Sequence, residues 1–253
     1  LGYLILMWVI MKKRLDLLLV EKGLFDSRNK AQVHILAGEV YVNKEKVLIS
    51  SKVVDIESHI EIKLLSENYV SRGGLKLSKA VSYFNLNIKN KICLDAGAST
   101  GGFTDCLLRE GAKRVYSIDV GYGQLDFKLR NNNKIINLEN TNVRYLSREN
   151  ILDDIDLIVM DVSFISITKF SNFFKEFTKE NNEFVALIKP QFELSKEKVG
   201  KKGVVQEAQS RQLATKNVKE FLQAYYEHIS EVIESPIKGA KGNIEYLVYC
   251  NNI

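Results

Sequence analysis

A glycine-rich segment at residues 95–104 is the first part of the chain whose composition suggests chemistry. It reads DAGASTGGFT, directly follows an apolar strand candidate, and lies where a helical pattern begins. Glycines in such a position allow a sharp turn and let the backbone approach a ligand closely. The spacing is G-x-x-x-G-G, which differs from the G-x-G-x-x-G of dinucleotide sites.

Two carboxylates narrow the choice of ligand for this loop. Asp95 leads into it, where a negative charge repels a pyrophosphate but suits a ligand that carries an ammonium and a sulfonium. Asp119 ends the next strand candidate, where it can accept hydrogen bonds from a ribose diol. Both features favour S-adenosylmethionine over NAD. Cofactor contacts are therefore expected from Asp95, Gly97, Ser99, Gly101, Gly102, Phe103, Asp119 and Asn142.

A lysine and an aspartate end two neighbouring strand candidates. Lys189 closes the apolar run FVALIK and precedes Pro190, so its amine is expected to point into a cleft that Asp161 also reaches. A lysine can act as a general base when its pKa falls well below about 10.4, through burial or a neighbouring cation. Such a base would suit a weak nucleophile, for example a ribose 2′-hydroxyl. Other polar residues give no such signal from their sequence context: Lys76, for example, resembles a solvated helix residue, and Glu245 resembles an ordinary strand residue.

Helices and strands alternate from residue 71 onward. Apolar residues at i, i+3, i+4 and i+7 predict a helix over 72–85. Strands are predicted at 91–96, 113–119, 134–138, 155–161, 183–189, 229–234 and 244–250. This alternation predicts an α/β fold with a doubly wound, mostly parallel sheet that binds ligands at the carboxyl ends of its strands.

A smaller α+β pattern precedes this part. Helices are predicted at 14–25 and from Asp26 or Ser27 to residue 36, followed by strands that close one small sheet by about residue 64. Residues 11–80 carry 13 Lys+Arg against 9 Asp+Glu, whereas the other 183 residues carry 23 against 22. A basic excess of this kind is typical of a nucleic-acid-binding appendage, although a solvated lysine-rich surface explains the charge equally well.

Several positions of the smaller part form a pattern: Arg14-Leu15-Asp16, Ser27-Arg28, Ala31, Gly38, Val40, Val42 and Asn43. The pattern resembles the S4 RNA-binding module. That resemblance implies a basic face suited to RNA phosphates rather than to base edges. RNA contacts are expected from Arg14, Arg28, Lys30, Lys44, Lys46 and Arg72. A cap that only stabilises the larger domain is the alternative.

Composition sets the remaining limits on the 253-residue chain. Its 3 cysteines and 3 histidines are scattered, so neither a disulfide framework nor a metal cluster is expected. Residues 1–10 are apolar but shorter than the roughly 20 residues of a membrane span. They also lack the preceding positive charges of a signal peptide, and we expect Met11 to be the true start. A metal-free protein of a reducing cytoplasm is expected.

Longer motifs carry a resemblance that runs from about residue 12 to the C-terminus. They are DAGASTGGFTD, DVGYGQL, MDVSFIS, KPQFE and GNIEY, in this order. The chain resembles the TlyA family of ribosomal RNA 2′-O-methyltransferases, which have an FtsJ-like catalytic domain and are often called haemolysins. The resemblance implies a Rossmann-like S-adenosylmethionine-dependent methyltransferase domain at 72–253, a linker at 66–71 and an S4-type domain at 12–65.

The family also implies a Lys-Asp-Lys-Glu catalytic set, and all four motif positions hold the required residue type. The set is Lys76 in SRGGLK, Asp161 in MDVSF, Lys189 in IKPQFE and Glu245 in GNIEY. The expected reaction is methylation of a cytidine ribose 2′-hydroxyl, with S-adenosylmethionine as the cofactor and a ribosomal subunit as the partner. Which lysine takes the proton is left open.

The family has a shorter and a longer type. The chain ends eight residues after Glu245, which fits the shorter type, and we therefore expect 23S rRNA to be the substrate. Two alternatives come from other functional classes. The first is a membrane-active haemolysin, against which the lack of a spanning segment argues. The second is a non-catalytic RNA-binding assembly factor, against which the intact loop and the complete set of four residues argue.

Overall fold

The computed structural model describes residues 11–36, 38–62, 69–200 and 202–252, so the apolar segment 1–10 and residues 66–68 of the predicted linker lie outside the described residues. The chain divides into two compact units, residues 1–65 and 66–253. Within the described ranges, no helix is both long enough and apolar enough to cross a membrane.

Within residues 11–36 and 38–62, the first unit has two helices and five short strands. In chain order they are β1 (Lys12–Arg14), α1 (Leu15–Glu21), α2 (Arg28–Leu36), β2 (Val40–Val42), β3 (Glu45–Lys46), β4 (Val53–Asp55) and β5 (Ile60–Ile62). The apolar faces of both helices and of β2 meet in one core, in which Leu15, Ile35 and Val40 are fully buried.

The strands of this unit form two sheets, whereas the sequence predicted one. β1 pairs antiparallel with β4, and β2 lies between β3 and β5 in an antiparallel sheet of three strands. Asn43 and Lys44 connect β2 to β3 with φ angles of 52° and 70°. Two consecutive residues with positive φ are the requirement of the tight hairpin turn that matches strand twist. The connection between β2 and β3 is therefore a two-residue hairpin turn.

The second unit contains the remaining helices and strands. They are α3 (Gly73–Tyr83), β6 (Ile92–Ala96), α4 (Gly102–Arg109), β7 (Arg114–Ile118), α5 (Phe127–Arg130), β8 (Ile135–Leu138), β9 (Leu157–Met160), α6 (Ser171–Phe177), β10 (Glu183–Ile188), α7 (Pro190–Glu193), α8 (Ala208–Leu222), β11 (His228–Ile229), β12 (Ile233–Glu234) and β13 (Tyr246–Asn251).

Their sheet has the order β11-β13-β10-β9-β6-β7-β8, and β12 also pairs with β13. The five strands from β10 to β8 run parallel, and β13 runs antiparallel to β10. The predicted α/β class with a mostly parallel sheet is confirmed. Every residue of β9 is fully buried, because successive side chains enter the cores on opposite faces of the sheet.

This topology fixes where a site can form. The carboxyl ends of parallel strands meet at one edge, and the loops that follow them line the crevice there. Asp119, Asp161 and Lys189 each directly follow one of these strands.

Residues 69–71, which the sequence placed in a linker, contact the helix that follows the glycine loop. The Val70 amide donates a hydrogen bond to Asp105 at 2.8 Å, and the Arg109 guanidinium lies 5.2 Å from the centre of the Tyr69 ring. The start of α3 is thereby anchored next to the loop.

Candidate active site

The glycine loop turns over the ends of β6 and β7 and is held there by Asp119. One carboxylate oxygen of Asp119 accepts a hydrogen bond from the Ser99 amide at 2.8 Å, and the other accepts from the Gly121 amide at 2.7 Å. Gly97 has a φ of 88°, and a Cβ atom there would lie 2.7 Å from the carbonyl oxygen of Asp161. Glycine is thus required at residue 97 for the backbone conformation and for a close approach to the end of β9.

The structure corrects the expected position of Asp95. Its side chain is fully buried and lines neither of the cavities described below. One carboxylate oxygen accepts a hydrogen bond from the Thr104 hydroxyl at 2.7 Å, and the other has no hydrogen-bond partner in the part of the chain that the structure describes. Burial raises the pKa of Asp95 to about 7. Asp95 therefore ties β6 to the start of α4 from inside the protein instead of facing a ligand.

Gly101 and Gly102 also serve internal packing. Gly101 has a φ of 95°, and a Cβ atom there would lie 2.3 Å from the Leu129 side chain. A Cβ atom at Gly102 would lie 2.9 Å from the Cα atom of Gly73, so α3 and α4 approach each other closely here. A larger residue at Gly101 would collide with the protein's own leucines before it could fill a ligand site.

Two cavities open at this edge of the sheet. The first, called the Asp119 cavity, has a volume of about 420 Å³ and is lined by Asp119, Gln124 and Asn142 among others. The second has a volume of about 400 Å³ and is called the tetrad cavity, because the four candidate catalytic residues Lys76, Asp161, Lys189 and Glu245 (the tetrad) line it. Arg72, Gly102 and Phe103 also belong to its lining. Both volumes lie in the range of small-molecule sites. The residues common to both linings are Gly97, Ser99, Asp161, Ser163 and Phe164.

The structure brings Lys76, Asp161, Lys189 and Glu245 together in the wall of the tetrad cavity. Lys76 Nζ donates a hydrogen bond to Glu245 Oε2 at 2.7 Å and lies 3.8 Å from Asp161 Oδ2. Lys189 Nζ lies 2.6 Å from Asp161 Oδ1 and donates to Ser163 Oγ at 2.7 Å. The two lysine side chains are only 12% and 9% exposed. The Asp161 carboxylate therefore lies between two shielded lysine amines.

Each member of this set is supplied by a different element. Asp161 and Lys189 follow the neighbouring strands β9 and β10, Lys76 lies on α3, and Glu245 directly precedes β13. Glu245 is 3% exposed. A Cβ atom at Gly239 would lie 1.8 Å from Glu245 Oε1, so a glycine at that position leaves room for the carboxylate that holds Lys76.

Several residues of the site were not singled out from the sequence. Ser163 accepts a hydrogen bond from Lys189, and Gly239 makes room for Glu245. Gln191 lines the tetrad cavity and has a buried amide oxygen with no hydrogen-bond partner among the residues that the structure describes. Phe164 is 91% exposed with a φ of 65°, an outlying backbone conformation for an aromatic residue. The motifs MDVSFIS and KPQFE contain three of these residues, but spacing alone gave no reason to separate them from their neighbours.

The predicted RNA contacts lie in two places. In the first unit, Arg14 and Arg28 both bond the buried carboxylate of Asp16, with Nη2 and Nε respectively each at 2.9 Å. These contacts hold the pKa of Asp16 well below its usual range, with Arg14 the largest cause. Each arginine side chain remains at least 40% exposed.

The lysines of the first unit are more accessible. Lys44 is exposed at the hairpin turn, Lys46 lies 5.8 Å from the centre of the Tyr41 ring, and Lys30 pairs with Asp26 at 2.7 Å on the surface. Arg72 belongs to the second unit, where it lines the tetrad cavity.

A loop over the ends of parallel strands, with a Lys-Asp-Lys-Glu cluster beside it, is the arrangement of a methyltransferase of the α/β class. Residues 69–252 match the FtsJ-like methyltransferase family, and residues 13–60 match the S4 domain. The chain belongs to the FtsJ-like methyltransferases and, within them, to the TlyA family.

Named relatives cover nearly the whole chain. Hemolysin A of Brachyspira hyodysenteriae is 47% identical over 240 residues, which are 93% of this chain and 98% of that protein. The 16S/23S rRNA (cytidine-2′-O)-methyltransferase TlyA of Mycobacterium tuberculosis is 39% identical over 94% of this chain and 89% of its own length. The 23S rRNA (cytidine-2′-O)-methyltransferase TlyA of Campylobacter jejuni is 36% identical over 91% and 96%.

Solved structures agree with this assignment. A putative hemolysin from Streptococcus thermophilus superposes with a TM-score of 0.75 at 36% identity and covers 96% of this chain and 90% of that one. An S-adenosylmethionine-dependent methyltransferase structure from Listeria monocytogenes has a TM-score of 0.52 at 14% identity over 72% of this chain and 99% of that one, which shows the shared fold.

Proposed function

We propose that this protein transfers a methyl group from S-adenosylmethionine to the ribose 2′-hydroxyl of a cytidine in 23S rRNA of the large ribosomal subunit. The observation that carries the proposal is the position of Asp161, which lines both cavities and pairs with both lysines. A cofactor on one side and an acceptor hydroxyl on the other would meet at this residue. The substrate is proposed because the Mycobacterium and Campylobacter relatives are both named for 23S rRNA cytidine 2′-O-methylation.

The residues of the Asp119 cavity fit S-adenosylmethionine. Each Asp119 oxygen already accepts one backbone hydrogen bond and has a second lone pair available for a ribose hydroxyl. Asn142 lines the same cavity next to apolar residues that suit an adenine ring. When bound, the cofactor supplies an electrophilic methyl group. The cavity walls would orient it towards Asp161, with Gly97 allowing the backbone to pass close by.

The surroundings of the two lysines assign them different roles. Lys76 faces two carboxylates, Glu245 and Asp161, so it is suited to remain a fixed cation that positions the acceptor. Lys189 faces one carboxylate, with its Nζ 2.6 Å from Asp161 Oδ1, and donates its hydrogen bond to the neutral hydroxyl of Ser163 at the border of the cavity. We assign Lys189 as the base. Its Nζ would take the proton of the 2′-hydroxyl as that oxygen accepts the methyl group that a cofactor in the Asp119 cavity would supply. Holding the acceptor in line with that group would provide a large part of the rate.

The S4 unit supplies the grip on structured RNA. Its exposed Lys44 and the partly exposed Arg14 and Arg28 can contact phosphates, and such contacts give affinity without reading sequence. The single buried carboxylate of Asp16 fixes both arginines, which limits the conformational entropy lost when RNA binds.

Ribose-methylation mapping by mass spectrometry tests the reaction. Isolated large and small subunits should be incubated separately with the wild-type protein, Lys189→Ala and Lys76→Ala. Lys79→Ala is the matched control, since Lys79 is an exposed lysine on the same helix as Lys76. We expect 2′-O-methylcytidine in 23S rRNA with the wild type and the control, and a loss of at least 100-fold in both tetrad variants. Equal methylation of both subunits would refute the 23S assignment, and full activity of Lys189→Ala would refute the base.

The relative named Hemolysin A makes membrane lysis the competing function. Leakage from dye-loaded liposomes distinguishes the two, because a lytic protein needs neither cofactor nor Lys189. Cofactor-independent leakage at nanomolar protein, unchanged in Lys189→Ala, would favour lysis.

A further inference from the structure

The loop of residues 161–167 is fastened to the segment 189–193 by a series of side-chain contacts. Asp161 and Ser163 contact the Lys189 amine, and the Phe164 ring lies 5.2 Å from the Phe192 ring between centroids. At the far end, Glu193 accepts hydrogen bonds from the Ser166 hydroxyl and from the Ile167 amide, the latter at 3.1 Å. These contacts therefore hold the loop that follows β9 in a fixed position relative to the residues that follow β10.

Within these contacts, the Lys189 amine has one aligned hydrogen bond, and its acceptor is Ser163. The Asp161 carboxylate is close at 2.6 Å, but Asp161 Oδ1 has no hydrogen-bond partner among the described residues. The carboxylate therefore keeps the amine close without fixing its rotation about the Cε–Nζ bond, since electrostatic attraction has less directionality than an aligned hydrogen bond. A hydrogen bond is directional, so the hydroxyl of Ser163 sets that rotation.

We infer that Ser163 is a positioning residue for methyl transfer, which directs the lone pair of the neutral Lys189 amine towards the acceptor hydroxyl. This inference rests on the proposed function. A neutral lysine amine has two N–H bonds and one lone pair. When Ser163 accepts one N–H and Asp161 attracts the other, the lone pair faces the tetrad cavity, which all three residues line.

Glu193 supports this arrangement without reaching the cavities. It lines neither of them, and burial raises the pKa of its carboxyl group. Its two bonds to residues 166 and 167 fix the end of the loop, three residues beyond Ser163. Ser163 itself is exposed at the cavity wall, so its substitution leaves the buried core unchanged.

Single-turnover methylation of large subunits, with cofactor and RNA affinities measured separately, tests the inference. We expect Ser163→Ala to slow the methyl-transfer step about 3- to 10-fold, the scale of one hydrogen bond between neutral groups. Cofactor and RNA affinity should stay within about twofold. Ser163→Thr keeps the hydroxyl and should recover most of the rate, which a loss of general loop structure would not allow. A rate for Ser163→Ala near the wild-type value, or no recovery in Ser163→Thr, would overturn the inference.

A double variant separates this inference from the proposed function. If Ser163 acts through Lys189, then Ser163→Ala should cause no further loss in the Lys189→Ala background, because the group that it orients is absent. An additive loss would show that Ser163 acts elsewhere. If Lys189→Ala alone retains the wild-type rate, the proposed base fails. If Lys189→Ala is inactive while Ser163→Ala is fully active, only the role of Ser163 fails.

Discussion

Gly239→Ala should slow methyl transfer although residue 239 contributes no side chain to the reaction. Gly239 has no positive φ, so its backbone accepts alanine without strain. The new Cβ atom would lie 1.8 Å from Glu245 Oε1 and 2.3 Å from its Cδ atom. Ordinary contact requires about 3.5 Å, so the carboxylate must shift by roughly 1.5 Å.

That shift sets the size of the effect. The Lys76–Glu245 hydrogen bond is 2.7 Å long and cannot tolerate such a displacement within hydrogen-bond geometry. A hydrogen bond to a charged group contributes roughly 1.5–3 kcal/mol, which corresponds to about a 10- to 150-fold fall in rate. Lys76 keeps Asp161 as a second carboxylate at 3.8 Å, so we expect a value near the lower end.

The assay is single-turnover incorporation of labelled methyl groups into large subunits, and Glu245→Ala is the companion variant. If alanine at 239 acts by displacing Glu245, the double variant Gly239→Ala/Glu245→Ala should be no slower than Glu245→Ala. Thermal unfolding controls for a loss of folded protein. A Gly239→Ala rate within twofold of the wild type would refute this reasoning, and so would losses that multiply in the double variant.

Three further outcomes are expected. Asp119→Ala should weaken S-adenosylmethionine binding by about 1–3 kcal/mol in calorimetric titration; unchanged affinity would exclude the Asp119 cavity. Asp95→Asn should flatten the pH dependence of stability: because the folded-state pKa of Asp95 is raised from 3.8 to about 7, the contribution of this group to stability is fully present below about pH 4 and is lost as the pH rises to 7. The free energy of unfolding in urea, measured at pH 5 and at pH 8, checks this, and an equal change between the two pH values in both proteins would contradict it. Lys44→Glu should lower the slope of log RNA affinity against log salt concentration by about 1 or more, the equivalent of at least one phosphate contact. An unchanged slope would place Lys44 away from RNA.

Most strands of the larger unit could be predicted because they are short, largely apolar runs. The predicted strand at 229–234 is wrong, because β11 and β12 are separate two-residue strands that each pair with β13. β9, and β10 after Glu183, are continuous apolar stretches buried on both faces, a pattern that indicates a parallel sheet. β1 gave no such signal, because Lys12–Arg14 is a basic tripeptide whose strand conformation depends on pairing with β4, about forty residues away. Long-range pairing of this kind also divided the predicted single sheet into two.

The direction in which a buried side chain points could not be predicted from the sequence. Asp95 is the last but one residue of β6, a strand buried on both sides, so neither alternation nor hydropathy could tell whether its carboxylate faces the crevice or Thr104. Gly101 looked like a ligand contact because glycine loops commonly are, yet its constraint comes from Leu129, which no local pattern connects to it.

The four tetrad residues illustrate the same limit. Lys76 and Glu245 lie 169 positions apart, and each alone has an ordinary surface or strand context. Only the family resemblance named them together. Ser163 and Gly239 act through a neighbour, by a hydrogen bond or by leaving space, and such roles become visible only when the partner atom has a position.

Asp161 connects the two halves of the site, because its backbone and its side chain contact different partners. Its carbonyl oxygen lies so close to Gly97 that the glycine loop is packed directly against the end of β9. Its carboxylate pairs with Lys189 and lies near Lys76. Asp161, which directly follows the fully buried strand β9, thus contacts both the loop that would hold the cofactor and the two lysines that would act on the acceptor. Methyl transfer needs nucleophile, methyl carbon and sulfur in line. Because one rigidly held residue positions both halves of the site, the distance and angle between them vary little.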